Sequence, residues 1–491
     1  MQNFEELKQL SCSYKTVPVY KIIPQNRLSP TRTFKILKNI SRHCFILESL
    51  EDEINTGRYT FLGYNPKLEI SCKDGAITIK SEVSFNINNA DPKEYIQKII
   101  DDNKAPKFDN LPPFTGGLVG YFSYDFIKYS EKNLKLDGKD IENFKDVDLM
   151  FFDQVIAFDN LKKEIFLIIN IKTDALEKNY NNALDELKNM ENLIKKDEKT
   201  YIPKLKLTSP FNSLFDETKY CAMVEKAKNY IKEGDIFQVV LSNRFDAEAE
   251  GSLFETYEIL RKLNPSPYMF YFSSDMVEIA GASPETLVKL DGKKVSTFPL
   301  AGTRTRGRNK WEDKLLEEEL LRDPKELCEH NMLVDLGRND IGKISRFGSV
   351  KVQKYLSVVR FSHVMHIGST VEGEIREDKN AIDAIDAVLP AGTLSGAPKI
   401  RACEIIHELE GSKRGIYGGA IGYISFTGDM DTCIAIRIAF KKSGRVYVRS
   451  GAGIVADSIA KNEFMECENK AKAVINALML AAGVGVVKWY S

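Results

Sequence analysis

Two short acidic patterns stand out. Glu326 with Glu329, and Glu463 with Glu466, form Glu-x-x-Glu pairs inside stretches of helical periodicity. A spacing of three puts both carboxylates on one helix face, about 5–6 Å apart at Cβ. Two such faces could hold a hard divalent cation through oxygen. Mg2+ is the natural choice, because it keeps waters and bridges to a substrate anion. The same pattern is common on solvated helix faces, so spacing alone leaves both readings open. Histidine is scarce: His43, His330, His363, His366 and His407. His363 and His366 lie in FSHVMHIGSTVEG, which alternates like a strand, so they point to opposite faces. One can face a cavity as a general acid or base near neutral pH, and a hydrogen-bonded structural histidine is the alternative.

Three loops are rich in glycine and hydroxyls: PLAGTRTRGR (299–308), PAGTLSGAPK (390–399) and RSGAGIVADS (449–458). Such loops present backbone N–H groups to an anion. None matches the G-x-x-x-x-G-K-[ST] phosphate loop or a complete G-x-G-x-x-G, so nucleotide binding has little support. No G-x-S-x-G nucleophile elbow occurs. Glycine and arginine are concentrated in the same half: 7 glycines and four arginines lie in residues 1–213, against 24 and 15 afterwards. Arg437 falls on an expected central strand of that half.

The elements that must position these groups can be read from periodicity. The 491 residues suggest two or three domains or one large unit, at about 150 residues per domain. Residues 12–190 read as a strand-rich N-terminal part, with a hairpin at Asp74-Gly75, a strand pair across 149–171 and a helix over 173–196. The lysine-rich stretch 195–213, with its prolines, reads as a linker to a second part, 214–486. There, helices fit 217–232, 252–263, 311–336, 379–388, 398–409 and 460–482. GIYGGAIGYISF, DTCIAIRIAF and RVYVRSGAGIV read as a three-stranded meander. GGLVGYFSYD (116–125) faintly echoes GGAIGYISFT (418–427).

Lys plus Arg is 69 and Asp plus Glu is 70, which argues against a general nucleic-acid binder and against steering of an anion by the whole-molecule field. Eight dispersed cysteines without a C-x-x-C pair signal neither a zinc site nor a disulfide framework. The N-terminus lacks a signal-peptide pattern, and the longest apolar stretch, near Val474–Val487, is too short to span a bilayer. A cytoplasmic protein without membrane contact is the expectation.

Taken together, the segments resemble the chorismate-utilising enzymes, and within them the large-subunit (component I) branch of the anthranilate synthases. The resemblance rests on ASPETLV (282–288), PLAGTRTRG, DPKELCEHNMLVDLGRNDIGKI (323–344), VMHIGSTVEG (364–373), PAGTLSGAPK, YGGAIGY (417–423), IAIRIAF (434–440), RSGAGIVADS and NEFMECENKA (462–471). It implies an α+β fold of two large facing antiparallel β-sheets flanked by helices, with the active site in the cleft. It also implies Glu329 and Glu466 as Mg2+ ligands supported by Glu326 and Glu463, with Glu326 also near the chemistry. Gly302, Thr303, Gly451, Ala452 and Gly453 would line chorismate, Tyr417 and Arg437 would bind its enolpyruvyl carboxylate, and Lys470 is a further anion contact. His366 and Thr393 match catalytic positions near the leaving groups. The implied reaction converts chorismate and ammonia to anthranilate and pyruvate, a lyase step committing material to tryptophan.

Aminodeoxychorismate synthases of this family typically carry a lysine nucleophile where this chain has Ala301. Water-using relatives carry a lysine where it has Gln238. Both departures favour ammonia as nucleophile. An aminodeoxychorismate synthase component and a catalytically silent regulatory paralogue are the competing readings. Leu47-Glu48-Ser49 and Asn264-Pro265-Ser266-Pro267-Tyr268-Met269-Phe270 resemble the family's inhibitor segments, which implies feedback by L-tryptophan through Ser49, Pro267, Tyr268 and Met269. A 491-residue chain filled by these segments leaves no room for a fused glutamine amidotransferase, so ammonia is expected from a separate subunit.

Overall fold

Apolar side chains alternate with period two through much of the chain, and the result, among the described residues, is two antiparallel sheets of 13 and 12 strands. The computed structural model describes residues 4–50, 57–196, 200–361 and 364–485. One face of each sheet meets the other across a core rich in aromatics, including Phe45, Phe61, Phe114, Phe152, Phe270 and Phe440. The opposite faces are covered by helices. Cys44 and Ile46, neighbours of Phe45, point outward into a cluster with helices Pro30–Ile40, Leu176–Lys195, Phe254–Leu263 and Ala460–Ala481. Helices Pro92–Asp102, Pro324–Gly342 and Ala381–Val388 cover the second sheet. Among the described residues no helix is long and apolar enough to cross a membrane.

The order of elements repeats. Strand Thr16–Pro24, helix Pro30–Ile40 and strands Cys44–Glu48, Tyr59–Tyr64, Leu68–Lys73 and Ala76–Lys80 are matched by strand Gln238–Glu250, helix Phe254–Leu263 and strands Tyr268–Ser273, Glu278–Ser283, Thr286–Asp291 and Lys294–Thr297. Each half then closes with four strands and a long helix. In the first sheet the halves meet where Cys44–Glu48 pairs with Tyr268–Ser273, and in the second where Gly117–Phe122 pairs with Ala420–Ser425. Residues 12–190 and 214–486 therefore contribute to both sheets. Of the stretch 195–213, residues 197–199 lie outside the described residues, while Lys206–Leu207 and Asn212–Ser213 pair with strand Gln238–Glu250. The sequence echo at 116–125 and 418–427 is the central strand pair itself, with Gly120 opposite Gly422. A Cβ on either would fall 2.0–2.1 Å from a carbonyl oxygen of the next strand, Asp148 O or Asp431 O. Glycine is what permits that close approach.

Three readings from periodicity need correction. DTCIAIRIAF is not one strand of a meander. It divides into Met430–Ile434 in the second sheet and Ile438–Lys442 in the first, and the chain changes sheets at Ala435–Arg437. Arg437 adopts φ +54° at this corner, so it lies between strands rather than on a central one. Likewise 149–171 holds three strands, and the chain passes from one sheet to the other at Asp153. The helix expected over 311–336 breaks into Lys310–Leu320 and Pro324–Gly342. Pro324 cannot continue the preceding helix, and Asp323 caps the new one by accepting from the Lys325 and Glu326 amides. The remaining expected helices start and stop within three residues of expectation, and the Asp74-Gly75 turn joins Leu68–Lys73 to Ala76–Lys80.

Candidate functional site

The two carboxylate pairs arrive from different layers. Helix Pro324–Gly342 packs on strands Leu300–Thr305 and Val364–Glu374 of the second sheet, and helix Ala460–Ala481 on strand Arg445–Ile454 of the first. They nonetheless share one electrostatic neighbourhood. Burial and then the Glu326 charge push the Glu329 carboxyl up, opposed by Lys470 from the other helix. Burial also pushes up Glu463, beside Glu466, and Lys325 from the first helix opposes that shift. Lys470 Nζ sits 2.7 Å from Glu466 Oε1 and donates to Gly451 O at 3.2 Å. Arg304 Nη1 donates to Glu326 Oε1 at 3.3 Å. Among the described residues no three His, Cys, Asp or Glu side chains converge to cage an ion by themselves. Partly buried carboxylates paired in this way fit a Mg2+ ion, which would take one or two of them and leave its other positions to water and an anion.

His366 lies across the strand pair from Thr303, next to a bulge at Gly302, whose φ is +65°. His366 Nδ1 is 2.9 Å from Gly302 O and 3.1 Å from Thr303 Oγ1. A carbonyl can only accept, so Nδ1 carries the proton and Nε2 keeps its lone pair. Burial lowers the His366 pKa, with smaller downward pushes from Arg437 and Lys470 against the Gly302 bond. A Cβ on Gly302 would come within 3.1 Å of Glu326 Oε2, which ties this bulge to the first carboxylate pair. His363 lies outside the described residues.

Arg437 reaches in from the sheet-changing corner. Its Nη1 donates to Lys470 O at 3.2 Å, and no ion pair holds it among the described residues. Burial lowers its pKa, while the neighbouring Tyr417 and Glu466 favour its charged form. A buried guanidinium without a carboxylate partner is suited to a ligand carboxylate. Tyr417 is buried, and its hydroxyl lies 3.0 Å from where a Gly451 Cβ would stand. Alternation turns Ala452 into an apolar cluster behind the strand, so the residues that face Tyr417 and Gln238 are Gly451 and Gly453. Ala452 thus contributes backbone only to the site face.

Thr393 leads to a group that the sequence reading did not single out. Its Oγ1 donates to Glu285 Oε1 at 3.2 Å. Glu285 is buried, and burial raises its pKa to about 8, against the Thr393 bond and an amide at Leu300. At neutral pH this carboxyl is therefore a proton donor. Its sequence signal is its place in ASPETLV (282–288), one of the segments that carry the family resemblance.

Ser49, Pro267, Tyr268 and Met269 converge elsewhere, on a cavity of about 1220 Å³ beside the strand pair that joins the two halves. Ser49 Oγ is buried without a hydrogen-bond partner among the described residues. Glu48 accepts from Arg261 Nε at 2.6 Å and from the Tyr257 hydroxyl, and Tyr268 OH donates to Asp431 at 2.7 Å. The far wall includes Leu300, Arg306 and Phe361, and the Phe361 ring lies 5.4 Å from the His366 ring.

Known proteins share this arrangement over almost its whole length. The family model described as chorismate binding enzyme matches residues 42–476. The chain belongs to the chorismate-binding enzyme family. It is 44% identical over 483 residues to anthranilate synthase component 1 of Acetivibrio thermocellus, covering 96% of this chain and 97% of that one. It is 41% identical to the same component of Aquifex aeolicus, at 98% of each. Anthranilate synthase component I from Streptococcus pneumoniae superimposes with a TM-score of 0.75 at 40% identity, over 92% of this chain and 98% of that one. A menaquinone-specific isochorismate synthase from Escherichia coli shares the fold at 18% identity, with a TM-score of 0.70 over 97% of this chain and 98% of that one.

In this chorismate-binding enzyme two imidazoles should remain uncharged at neutral pH. His330 is buried on the carboxylate helix, where burial lowers its pKa to about 4, and burial lowers His366 as well. At these two positions the unfolded chain binds more protons than the folded one below about pH 6.5, so their contribution to stability is present above 6.5 and lost as pH falls towards 4. Ring-proton NMR should find both groups titrating below 6.5, with His330 near 4. A midpoint at or above 6.5 for either contradicts the site as described.

Proposed function

We propose that this chorismate-using enzyme is the large subunit of an anthranilate synthase, converting chorismate and ammonia to anthranilate, pyruvate and water. The observation that carries the reading is the meeting of the paired carboxylates, neutral His366 and an Arg437 without an ion pair among the described residues around one glycine-lined strand. Its relatives at 38–44% identity bear the name anthranilate synthase. Glu329 and Glu466 would hold Mg2+, with Glu326 and Glu463 supporting. The ion would supply charge compensation for the ring carboxylate of chorismate.

The chain's own residues account for the remaining chemistry. Arg437 and Tyr417 bind the enolpyruvyl carboxylate, with Lys470 a further anion contact, while Gly302, Thr303, Gly451 and Gly453 let the ring approach the backbone. In the first step the N–C2 bond forms, the ring π electrons shift and the C4–O bond breaks. Protonated Glu285, oriented by Thr393, gives its proton so that the hydroxyl leaves as water. The new C2 ammonium loses one proton, which restores Glu285 through solvent. In the second step His366 Nε2 takes the C2 proton as the enolpyruvyl C–O bond breaks, and pyruvate leaves after protonation. General acid and base groups of this kind each contribute roughly 10²–10⁴-fold. Orientation of ammonia and the electrostatic clamp on two carboxylates supply the larger share. Ammonia would come from a separate glutamine amidotransferase subunit, and the isolated chain should work with ammonium at alkaline pH.

Purified chain incubated with chorismate, Mg2+ and ammonium should develop anthranilate fluorescence. His366→Met and Glu285→Gln should each lower kcat by roughly 10²-fold or more while chorismate KM changes little. Absence of product from the unmodified chain overturns the assignment and revives a silent paralogue, and aminodeoxychorismate as product selects the sister activity.

We infer also that L-tryptophan occupies the cavity at Ser49. The Ser49 Oγ, without a partner among the described residues, supports recognition of a polar amino-acid headgroup, and Pro267, Tyr268 and Phe61 offer apolar surface to an indole. A ligand bridging Cys44–Glu48 and Tyr268–Ser273 acts at the seam between the repeated halves, where it can bias their placement. Ser49→Arg should raise the tryptophan concentration for half-inhibition at least tenfold while uninhibited turnover stays within about twofold. Unchanged inhibition contradicts the site.

A further inference from the structure

One side of strand Gln238–Glu250 changes partners along its length. Gln238 and Val239 pair with Ala397 and Gly396, and the Val240 amide donates to Ser395 O at 2.9 Å. Just before Ser395 the chain stands off in the short turn Gly392–Leu394, from which Thr393 reaches Glu285. The next groups on the strand are taken by side chains. Arg414 Nη2 donates to Val240 O at 2.6 Å, and Glu410 Oε1 accepts from the Ser242 amide at 2.8 Å and the Ser242 hydroxyl at 2.9 Å.

Arg414 and Glu410 act as one unit. Arg414 is 1% exposed and Glu410 4%. Arg414 Nε donates to Glu410 Oε2 at 3.0 Å, and Nη2 also donates to Glu410 Oε1. The remaining end of the fork, Nη1, donates to Leu394 O at 2.7 Å. The plane of the guanidinium lies over the Tyr124 ring, 4.8 Å from its centroid. A guanidinium carries five N–H donors in a rigid plane, so one group can hold a carboxylate and two carbonyls at set angles, whereas a lysine ammonium offers the same charge as a single point. The two carbonyls belong to different parts of the site. Leu394 follows Thr393 directly, and Val240 and Ser242 lie opposite Gly453 and Gly451 of the glycine-lined strand. Arg414 thus extends the sheet edge where the backbone has left it, and ties the turn of Thr393 to the strand that faces the substrate.

We propose that Arg414 is a positioning residue for the first chemical step: it holds Thr393 against Glu285, and so keeps the proton of Glu285 aimed at the departing C4 hydroxyl. The proposal rests on the anthranilate synthase reading, which supplies that acid. Proton donation in a transition state is sensitive to placement, and a shift of about 1 Å can cost roughly 10²-fold. The second step takes its proton with His366, on the other sheet, which Arg414 does not touch. Arg414 should therefore matter for one step and not the other, a pattern that a general role in stability does not produce.

The test uses the full-length chain with Mg2+ and follows the two steps separately. The first is read from the 2-amino intermediate plus anthranilate formed from chorismate at saturating ammonium. The second is read from anthranilate formed when the isolated 2-amino intermediate is supplied. Arg414→Lys keeps the buried charge beside Glu410 and loses the fork. It should slow the first step roughly tenfold or more and leave the second within about threefold of wild type. In a Glu285→Gln background, where no proton remains to be aimed, the same substitution should cost no more than about threefold. A smaller loss in the first step, a comparable loss in the second, or a full tenfold loss in the Glu285→Gln background each overturns the proposal. If Arg414→Lys fails to fold, Tyr124→Leu removes the ring that fixes the guanidinium plane. It should slow the first step about threefold or more with the second unchanged, and equal slowing of both overturns the proposal. A wild-type chain that makes no anthranilate would instead remove the reading on which the proposal stands.

Discussion

Like-charge crowding is the constraint around which the site is built. Glu326, Glu329, Glu463 and Glu466 are drawn from two helices on different sheets, and partial burial of Glu329 beside Glu326 and of Glu463 beside Glu466 makes repulsion within each pair harder to screen. The fold answers with cations that touch single members of the set: Arg304 on Glu326 and Lys470 on Glu466. Neither neutralises all four. Under the function proposed above, a cation would bridge the two pairs, and the glycine-lined strand beside them leaves room for an anion to share it. The near-cancellation of 69 basic and 70 acidic residues is compatible with this, because the charges that matter are local.

The repeated architecture explains why the groups meet. Each half sends its chain from one sheet to the other at a corner, Asp153 in the first and Ala435–Arg437 in the second. In the second half that corner carries an arginine at positive φ, aimed at the strand and helix that supply Gly451 and Lys470. The halves join along two central strand pairs, and the Ser49 cavity borders one of them. Its far wall reaches Leu300 and Phe361, next to the strands that carry Gly302 and His366. Occupation of the seam and arrangement of the catalytic strands are therefore physically contiguous, which is the minimum that coupling between two sites requires.

Much of this was legible in the chain, for identifiable reasons. Glu-x-x-Glu spacing reports one helix face whatever surrounds it, and the Gly-rich loops were visible because few residues tolerate such close backbone approach. Family resemblance supplied the roles proposed for His366, Arg437 and Tyr417. Local pattern could not reveal the corner at Arg437, since IAIRIAF alternates as if one strand ran straight through it. The partnership of Glu285 with Thr393 joins residues 108 positions apart, and no periodicity encodes that. Nor could spacing show that Gln238 Oε1 is buried without a hydrogen-bond partner among the described residues, because that depends on what its neighbours offer.

The central claim, that these carboxylates and chorismate share one Mg2+, predicts reciprocal coupling between the two ligands. Calorimetric titration of Mg2+ into the chain, with and without saturating chorismate and in the absence of ammonium, reads that coupling directly. The account predicts at least fivefold tighter Mg2+ binding with chorismate present, and loss of the enhancement in Glu329→Gln and Glu466→Gln. Equal Mg2+ affinity with and without chorismate, or full enhancement in both variants, would contradict it.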